Sequence, residues 1–369
     1  TAGMSSNAHE KKMGALVLQA NETVVFQEVP VPENPWGDSG VLVQIKASGI
    51  CNSDIHRGFG GGAYHYPLIM GHEFAGEIVE LGTGRGGTKS PGGYEIGDRV
   101  TVFPLLPCGK CIPCQTGEYA QCTSYDYFGS RRDGAFAEYL WVPEENVVPL
   151  PGHVDILHAA MTEPAAVALH GVRRMNVQPG YTGTVFGGGP IGNMVAQFLR
   201  FSGCTRVIVV DIDARKLETA EAMGFTGINP NDGDPVGQIF DVTGGCGSDC
   251  TVEAVGLPKT FLQAVQCTGR FGQVVFLGNI IGEFRIGEKD FSNILRKEIT
   301  IRGTWNSKVL PKGKDDWSAV LEYMNADGKR KLELDPLISH TPRLQDGPAI
   351  FTRLINKEEY FSKIIFTFD

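Results

Sequence analysis

No apolar run in the 369-residue chain approaches the ~20 residues that a membrane-spanning helix requires. Residues 1–14, TAGMSSNAHEKKMG, are polar and lack the apolar centre of a secretory signal; they are expected to be disordered. Positive charge is in short supply: 33 Lys and Arg against 42 Asp and Glu give a net charge of -9. Such a balance disfavours a nucleic-acid partner on electrostatic grounds. Internal repeats and low-complexity tracts are also lacking, which excludes solenoid and fibrous architectures. The nine cysteines are odd in number and partly clustered. In a large chain without a signal segment, that pattern suits metal binding better than a disulfide framework. A cytoplasmic protein with neither a membrane nor a nucleic-acid partner is the expectation.

Glycine is plentiful, at 48 residues, which suits tight turns and close approach of backbone to a ligand. The length suggests two domains. As far as about residue 160, short apolar runs at 41–45, 76–81, 99–103 and 137–142 are separated by Gly, Pro and Asp turns, the mark of a β-rich region. The middle of the chain alternates. Strand-like runs at 184–186, 206–210, 250–255 and 273–277 are interleaved with helical segments at 193–202 and 214–223. Alternation of this kind implies βαβ units and a parallel sheet. A helical segment at 316–324 and a strand-like run at 363–368 close the chain. The fold class is therefore α/β, with a discontinuous β-rich domain made of the two ends and a doubly wound domain between them.

Cys108, Cys111, Cys114 and Cys122 are spaced C-x2-C-x2-C-x7-C. Four thiolates so close in sequence can enclose one tetrahedral Zn²⁺. An iron–sulfur cluster is the competing reading, although the fourth Cys at x3 followed by Pro is missing. A filled four-thiolate site has no open position for water, so this metal would stabilise a lobe and do no chemistry. A second set is open. Cys51 stands in Gly49-Ile-Cys-Asn-Ser-Asp-Ile-His56, and His72 and Glu73 stand in Gly71-His-Glu-Phe-Ala-Gly76. A thiolate and an imidazole suit zinc, and a catalytic zinc wants three protein ligands with one position free. Glu73 or the later Glu163, in Thr162-Glu-Pro-Ala165, can complete the set. Glu163 also suits a helix N-terminus.

Gly187, Gly189 and Gly192, with Pro190 and Ile191 between the last two, spell G-x-G-x-x-G after a strand-like run and at the head of a helical one. Asp211 closes the next strand-like run, nineteen positions after Gly192. This is the dinucleotide fingerprint: glycines for backbone approach, a helix N-terminus for the pyrophosphate, and an acid for the ribose hydroxyls. The Asp211 carboxylate would repel a 2′-phosphate and so favours NAD over NADP. Arg215 and Lys216 lie close behind and pull the other way.

These four signals, in this order, resemble the zinc-containing medium-chain dehydrogenases over nearly the whole chain. Further stretches point to the branch that contains galactitol-1-phosphate 5-dehydrogenase and sorbitol dehydrogenase. They are His65-Tyr-Pro-Leu-Ile-Met-Gly-His-Glu-Phe74, Pro104-Leu-Leu-Pro-Cys108, Tyr127-Phe-Gly-Ser-Arg-Arg-Asp-Gly134, Leu295-Arg-Lys-Glu298 and Gly303-Thr-Trp305. Glu163 followed by Pro also fits the polyol branch. The resemblance implies a GroES-like catalytic domain over 1–164 and 306–369 and a Rossmann domain over 165–305. It implies two zinc ions per chain, NAD as cofactor, and a homodimer or homotetramer. It further implies a catalytic zinc held by Cys51, His72 and either Glu73 or Glu163. Ser53 and His56 would pass the alcohol proton to solvent. The expected substrate is a secondary alcohol of a polyol or polyol phosphate, with an unphosphorylated polyol or 2,3-diol as the alternative. Arg131 and Arg132 are the nearest candidates for holding a phosphate. His56 argues mildly against a phosphorylated substrate.

Overall fold

The computed structural model describes residues 11–82, 88–310 and 313–368. The expectation of disorder at residues 1–10 lies outside them, whereas residues 12–14 open a strand, Lys12–Ala20. The chain divides into two compact units. The first contains residues 1–115, 122–162 and 339–369; the second contains 116–121 and 163–338.

The first unit is β-rich. Strand Gly40–Gly49 is its spine, pairing antiparallel with Glu73–Leu81, Tyr139–Pro143 and the C-terminal Lys363–Thr367. A hairpin, Lys12–Ala20 with Thr23–Pro30, carries the short strand Leu68–Ile69 and forms a separate sheet. Alternation along these strands buries two apolar clusters. One is built around Leu16, Leu18, Phe136 and Phe366, the other around Val43, Phe74, Ile78 and Val100.

The second unit holds six parallel strands in the order Thr226–Ile228, Arg206–Val210, Thr182–Phe186, Ser248–Glu253, Thr268–Phe276, Thr300–Gly303. The direction of strand succession reverses between Thr182–Phe186 and Ser248–Glu253. Ligands of open α/β sheets settle at the carboxyl ends of strands at such a switch point. Phe186, Ile208, Val210, Ile239 and Val274 fill the core on one side of the sheet.

Residues 306–338, expected with the first domain, group with the second unit. The reason is packing. On helix Asp316–Asn325, Tyr323 stacks on Phe201 and meets Phe198 edge-on. Nearby, Gln197 exchanges two hydrogen bonds with the backbone of Glu333. Sequence periodicity identified the helix but carried no information about the helix it packs against.

Candidate metal centre and dinucleotide site

The four-cysteine loop is closed at its base by two short paired strands, Leu105–Leu106 and Asp126–Tyr127. All four cysteines are free thiols. Their sulfurs lie within 4.8 Å of one another. Cys111 Sγ is 3.4 Å from Cys114 Sγ and 3.8 Å from Cys122 Sγ, and Cys108 Sγ is 4.0 Å from Cys114 Sγ. Zinc–sulfur bonds of about 2.3 Å in a tetrahedron require sulfur–sulfur edges of about 3.8 Å. The set therefore fits one zinc ion and leaves no room for a multi-iron core, which removes the iron–sulfur alternative. Backbone N–H groups of Cys108 and Ser124 point at Cys122 Sγ. Those of Thr123 and Cys114 hold the Cys111 thiol down to about 6, while desolvation and the neighbouring sulfurs push Cys114 up to about 12. Four thiols so placed cannot all ionise without a cation among them.

The second cluster follows from strand register. Gly49 pairs with Glu73, so the residues just beyond each come together. Cys51 caps helix Asn52–Phe59. One ligand atom each from Cys51, His72 and Glu73 lies within 4.8 Å of the others, with His72 and Glu73 buried. A thiolate, an imidazole and a carboxylate form a donor set that zinc accepts. Glu163 is buried in the first turn of helix Thr162–Arg173 and belongs to the second unit.

Two residues behind this cluster were not singled out from sequence. Asp54 is fully buried. Its carboxylate accepts from the N–H of Cys51 at 3.0 Å and from Arg57 Nη1 at 3.0 Å, and stands 3.4 Å from His72 Nδ1. Burial alone would raise the Asp54 carboxyl, but His72 and Arg57 outweigh it and hold it below the ordinary range. Burial would likewise lower His72, yet Asp54 and Cys51 hold that ring well above its usual value. An acid behind a ligand histidine fixes the ring's orientation. Lys363, a buried cation in the last strand, donates to Glu73 Oε2 at 2.5 Å and to the carbonyl of Ile50 at 3.0 Å. A Cβ at Gly49 would sit 2.5 Å from that carboxylate oxygen, so the glycine leaves room for the pair in this geometry. A lysine in an apolar strand was the available sequence signal. Its partner, 290 residues away, gave none.

Ser53 and His56 are both exposed on helix Asn52–Phe59, three positions apart and so on one face. The His56 ring lies back over the glycine run. A Cβ at Gly60 would meet its Nδ1 at 2.8 Å, and one at Gly62 at 3.0 Å.

In the second unit, strand Thr182–Phe186 ends at Gly187, and helix Pro190–Ser202 begins with Gly189 as its N-cap and Pro190 at its first position. Each glycine has its own reason. Gly187 has φ of 105°, a left-handed conformation. A Cβ at Gly192 would stand 1.7 Å from the carbonyl oxygen of Gly187, while at Gly189 nothing of the protein lies within 4 Å. That open space above a helix N-terminus suits an anionic group. Asp211 follows Arg206–Val210. It accepts from the N–H of Gly188 at 2.7 Å and of Asp213 at 2.9 Å, with Lys216 Nζ 3.5 Å away. Arg215 grips Asp213 with Nε at 3.0 Å and Nη2 at 2.8 Å.

The two arginines that were the nearest candidates for holding a phosphate are engaged elsewhere. Arg131 is stacked between Tyr125 and Tyr64, and its Nη1 donates to the carbonyl of Tyr125. Arg132 Nε is 2.8 Å from Asp126, with its guanidinium over Trp36.

Residues 37–152 match the alcohol dehydrogenase GroES-like domain family, and residues 190–326 match the zinc-binding dehydrogenase family. Galactitol 1-phosphate 5-dehydrogenase of Escherichia coli (strain K12) is 33% identical over 89% of this chain and 92% of its own length. Sorbitol dehydrogenase of Halalkalibacterium halodurans is 32% identical over the same shares, 89% and 92%. The crystal structure of galactitol-1-phosphate dehydrogenase from Escherichia coli matches with a TM-score of 0.87 at 32% identity, covering 96% of this chain and 100% of that one.

Proposed function

The chain belongs to the zinc-dependent medium-chain alcohol and polyol dehydrogenases, and from that premise we propose that it interconverts a secondary alcohol of a polyol or polyol phosphate with the matching ketone, using NAD. The observation that carries this reading is the meeting of Cys51, His72 and Glu73 in one cluster, next to a helix whose outer face presents Ser53 and His56. When bound, zinc supplies Lewis acidity toward an alcohol oxygen, and the dinucleotide supplies a hydride acceptor.

The protein's own residues do the rest. Cys51 and His72 would hold the metal, with Glu73 or Glu163 completing the set. Asp54 keeps the His72 ring in one orientation, and Lys363 balances the charge of Glu73. Ser53 takes the alcohol proton, and His56 hands it to solvent. Both are exposed, and the glycines at 60 and 62 leave the imidazole free to turn. Gly187, Gly189, Pro190, Ile191 and Gly192 would seat the pyrophosphate, with Asp211 on the ribose hydroxyls and Arg215 beside it. The charge of Asp211 supports NAD over NADP.

A second reading, a polyol or 2,3-diol without phosphate, is favoured by the engagement of Arg131 and Arg132. Turnover of galactitol 1-phosphate, galactitol, sorbitol, xylitol and 2,3-butanediol with NAD and with NADP decides between them, alongside elemental analysis for two zinc ions. Equal or better kcat/KM on galactitol than on its phosphate ends the phosphate reading. No turnover of any of these compounds by zinc-loaded protein ends the polyol reading altogether.

A homodimer or homotetramer is part of the proposal. Strand Thr300–Gly303 is exposed along its whole length at the edge of the parallel sheet, and Phe291 and Leu295 are exposed on the adjacent helix Glu288–Lys297. A bare strand edge beside apolar side chains suits pairing with a second copy. Ile301→Lys, assayed by light scattering, should yield monomer. A cytoplasmic location is supported by free cysteines throughout the described residues. No helix among those residues is long and apolar enough to cross a membrane.

A further inference from the structure

Residues 60–66 join the two segments that carry the metal-ligand candidates. They leave the helix capped by Cys51 and lead into Leu68–Ile69, three residues before His72. Connectivity alone places this loop beside the metal cluster. It has little to hold it there. It opens on three glycines, and Tyr64 is 67% exposed.

At its start, Gly61 N–H donates to Asn21 Oδ1 at 2.9 Å and Ala63 packs on the apolar core of the first unit; beyond them the loop is held by residue 131. The Arg131 guanidinium lies 4.2 Å from the ring centroid of Tyr125 and 5.2 Å from that of Tyr64. Its carbonyl oxygen stands 3.2 Å from His65 Nε2. Side chain and backbone of one residue therefore grip two consecutive residues of the loop. The stack continues inward: Tyr125 meets Tyr127 edge-on at 6.2 Å, and Tyr127 meets the His72 ring edge-on at 5.7 Å. The segment bearing these tyrosines is itself tied to the four-cysteine loop, since the N–H of Ser124 points at Cys122 Sγ.

We propose that Arg131 is a positioning residue that latches loop 60–66 through Tyr64 and His65, and that the latched loop sets how tightly the carbon chain of the polyol is held. A flat, delocalised cation can face two rings at once, which a lysine ammonium does not reproduce. The inference rests on the polyol dehydrogenase reading for its substrate but on geometry alone for the latch.

The test uses Tyr64→Ala, Tyr64→Phe, Arg131→Lys, Arg131→Leu and the Tyr64→Ala/Arg131→Leu double variant, as zinc-loaded enzyme. Tyr64→Ala and Arg131→Leu should each raise KM for the polyol about 2- to 5-fold, leaving kcat and KM for NAD unchanged; an exposed cation–π contact is worth roughly this. Tyr64→Phe should behave as wild type, Arg131→Lys should resemble Arg131→Leu, and the double variant should be no worse than either single one. In addition, limited chymotrypsin digestion should cut Arg131→Leu after Tyr64 about 2- to 5-fold faster than wild type. That readout needs no substrate, so it separates failure of the latch from failure of the polyol assignment. An unchanged cleavage rate overturns the latch. So does a KM effect of Arg131→Leu confined to phosphorylated substrates with Tyr64→Ala silent, because Arg131 would then be a phosphate ligand. A loss of kcat with unchanged KM overturns it as well.

Discussion

Replacing Asp211 tests the cofactor assignment, and the structure refines what should be measured. Each hydrogen bond between a carboxylate and a ribose hydroxyl is worth about 1.5–3 kcal/mol, so its loss in Asp211→Ser should weaken NAD by about 10- to 100-fold. NADP should move the other way. A carboxylate about 4 Å from a phosphate charge opposes it by about 4 kcal/mol at the effective dielectric of a protein surface. Serine removes that opposition and also releases Lys216, now 3.5 Å from Asp211 Oδ2, to face the phosphate. A gain of about 100-fold for NADP is expected, smaller in Asp211→Ser/Lys216→Ala. Asp211 also accepts from the N–H groups of Gly188 and Asp213, so serine loosens the fingerprint turn itself. Asp211→Asn is the control, because its amide oxygen still accepts from Gly188 while the charge is gone. Steady-state kcat/KM for both coenzymes reads the result. If wild type uses NADP as well as NAD, or if Asp211→Asn shifts neither, Asp211 builds the turn and does not select the cofactor.

Cys108→Ser should lose one zinc by elemental analysis and lower the yield of folded protein, whereas Cys51→Ser should lose the other zinc and all activity with the fold intact; iron in either site refutes the assignment. Lys363→Met leaves the buried Glu73 carboxylate without its cation, a change that costs about 3–5 kcal/mol. Adding Glu73→Gln should recover most of that in urea denaturation, and no recovery would mean that the ion pair is not the cause. Glu253 is buried at the carboxyl end of its strand, and desolvation raises its carboxyl above the usual range for a glutamate despite bonds from Thr260, Gly256 and Val255. The folded state therefore binds this proton more tightly than the unfolded one, and stability falls as pH rises from about 4.5 through the folded value. Glu253→Gln should gain on wild type across that window in thermal melts at stepped pH. A constant difference between the two proteins would show that Glu253 does not titrate as argued.

Most of the fold was legible because it is written in local periods. The strand at 206–210 and the helix from 214 emerge where their apolar spacing put them, and the glycine fingerprint sits on the strand–turn–helix its spacing demanded. The four cysteines were equally legible, since one loop carries all of them and loop length limits where their sulfurs can go. Residue types at a distance were read less well, because a side chain's chemistry says what it can bind but not which of its donors are already engaged. Arg131 and Arg132 stood beside a glycine turn as the nearest candidates for holding a phosphate. Folding gives one to a pair of tyrosines and a carbonyl and the other to Asp126. Asp54 carried no signal of its own, and folding places it, fully buried, 3.4 Å from His72 Nδ1. Lys363 lay among apolar residues with no partner in sight, and antiparallel pairing of the last strand with Gly40–Gly49 carries it to Glu73. Each revision concerns a charged group whose partner is distant in sequence or hidden by burial. A charged side chain counts as available to a ligand only once the folded chain's own claims on it have been counted, which is why Arg131 points to a latch more than to a phosphate.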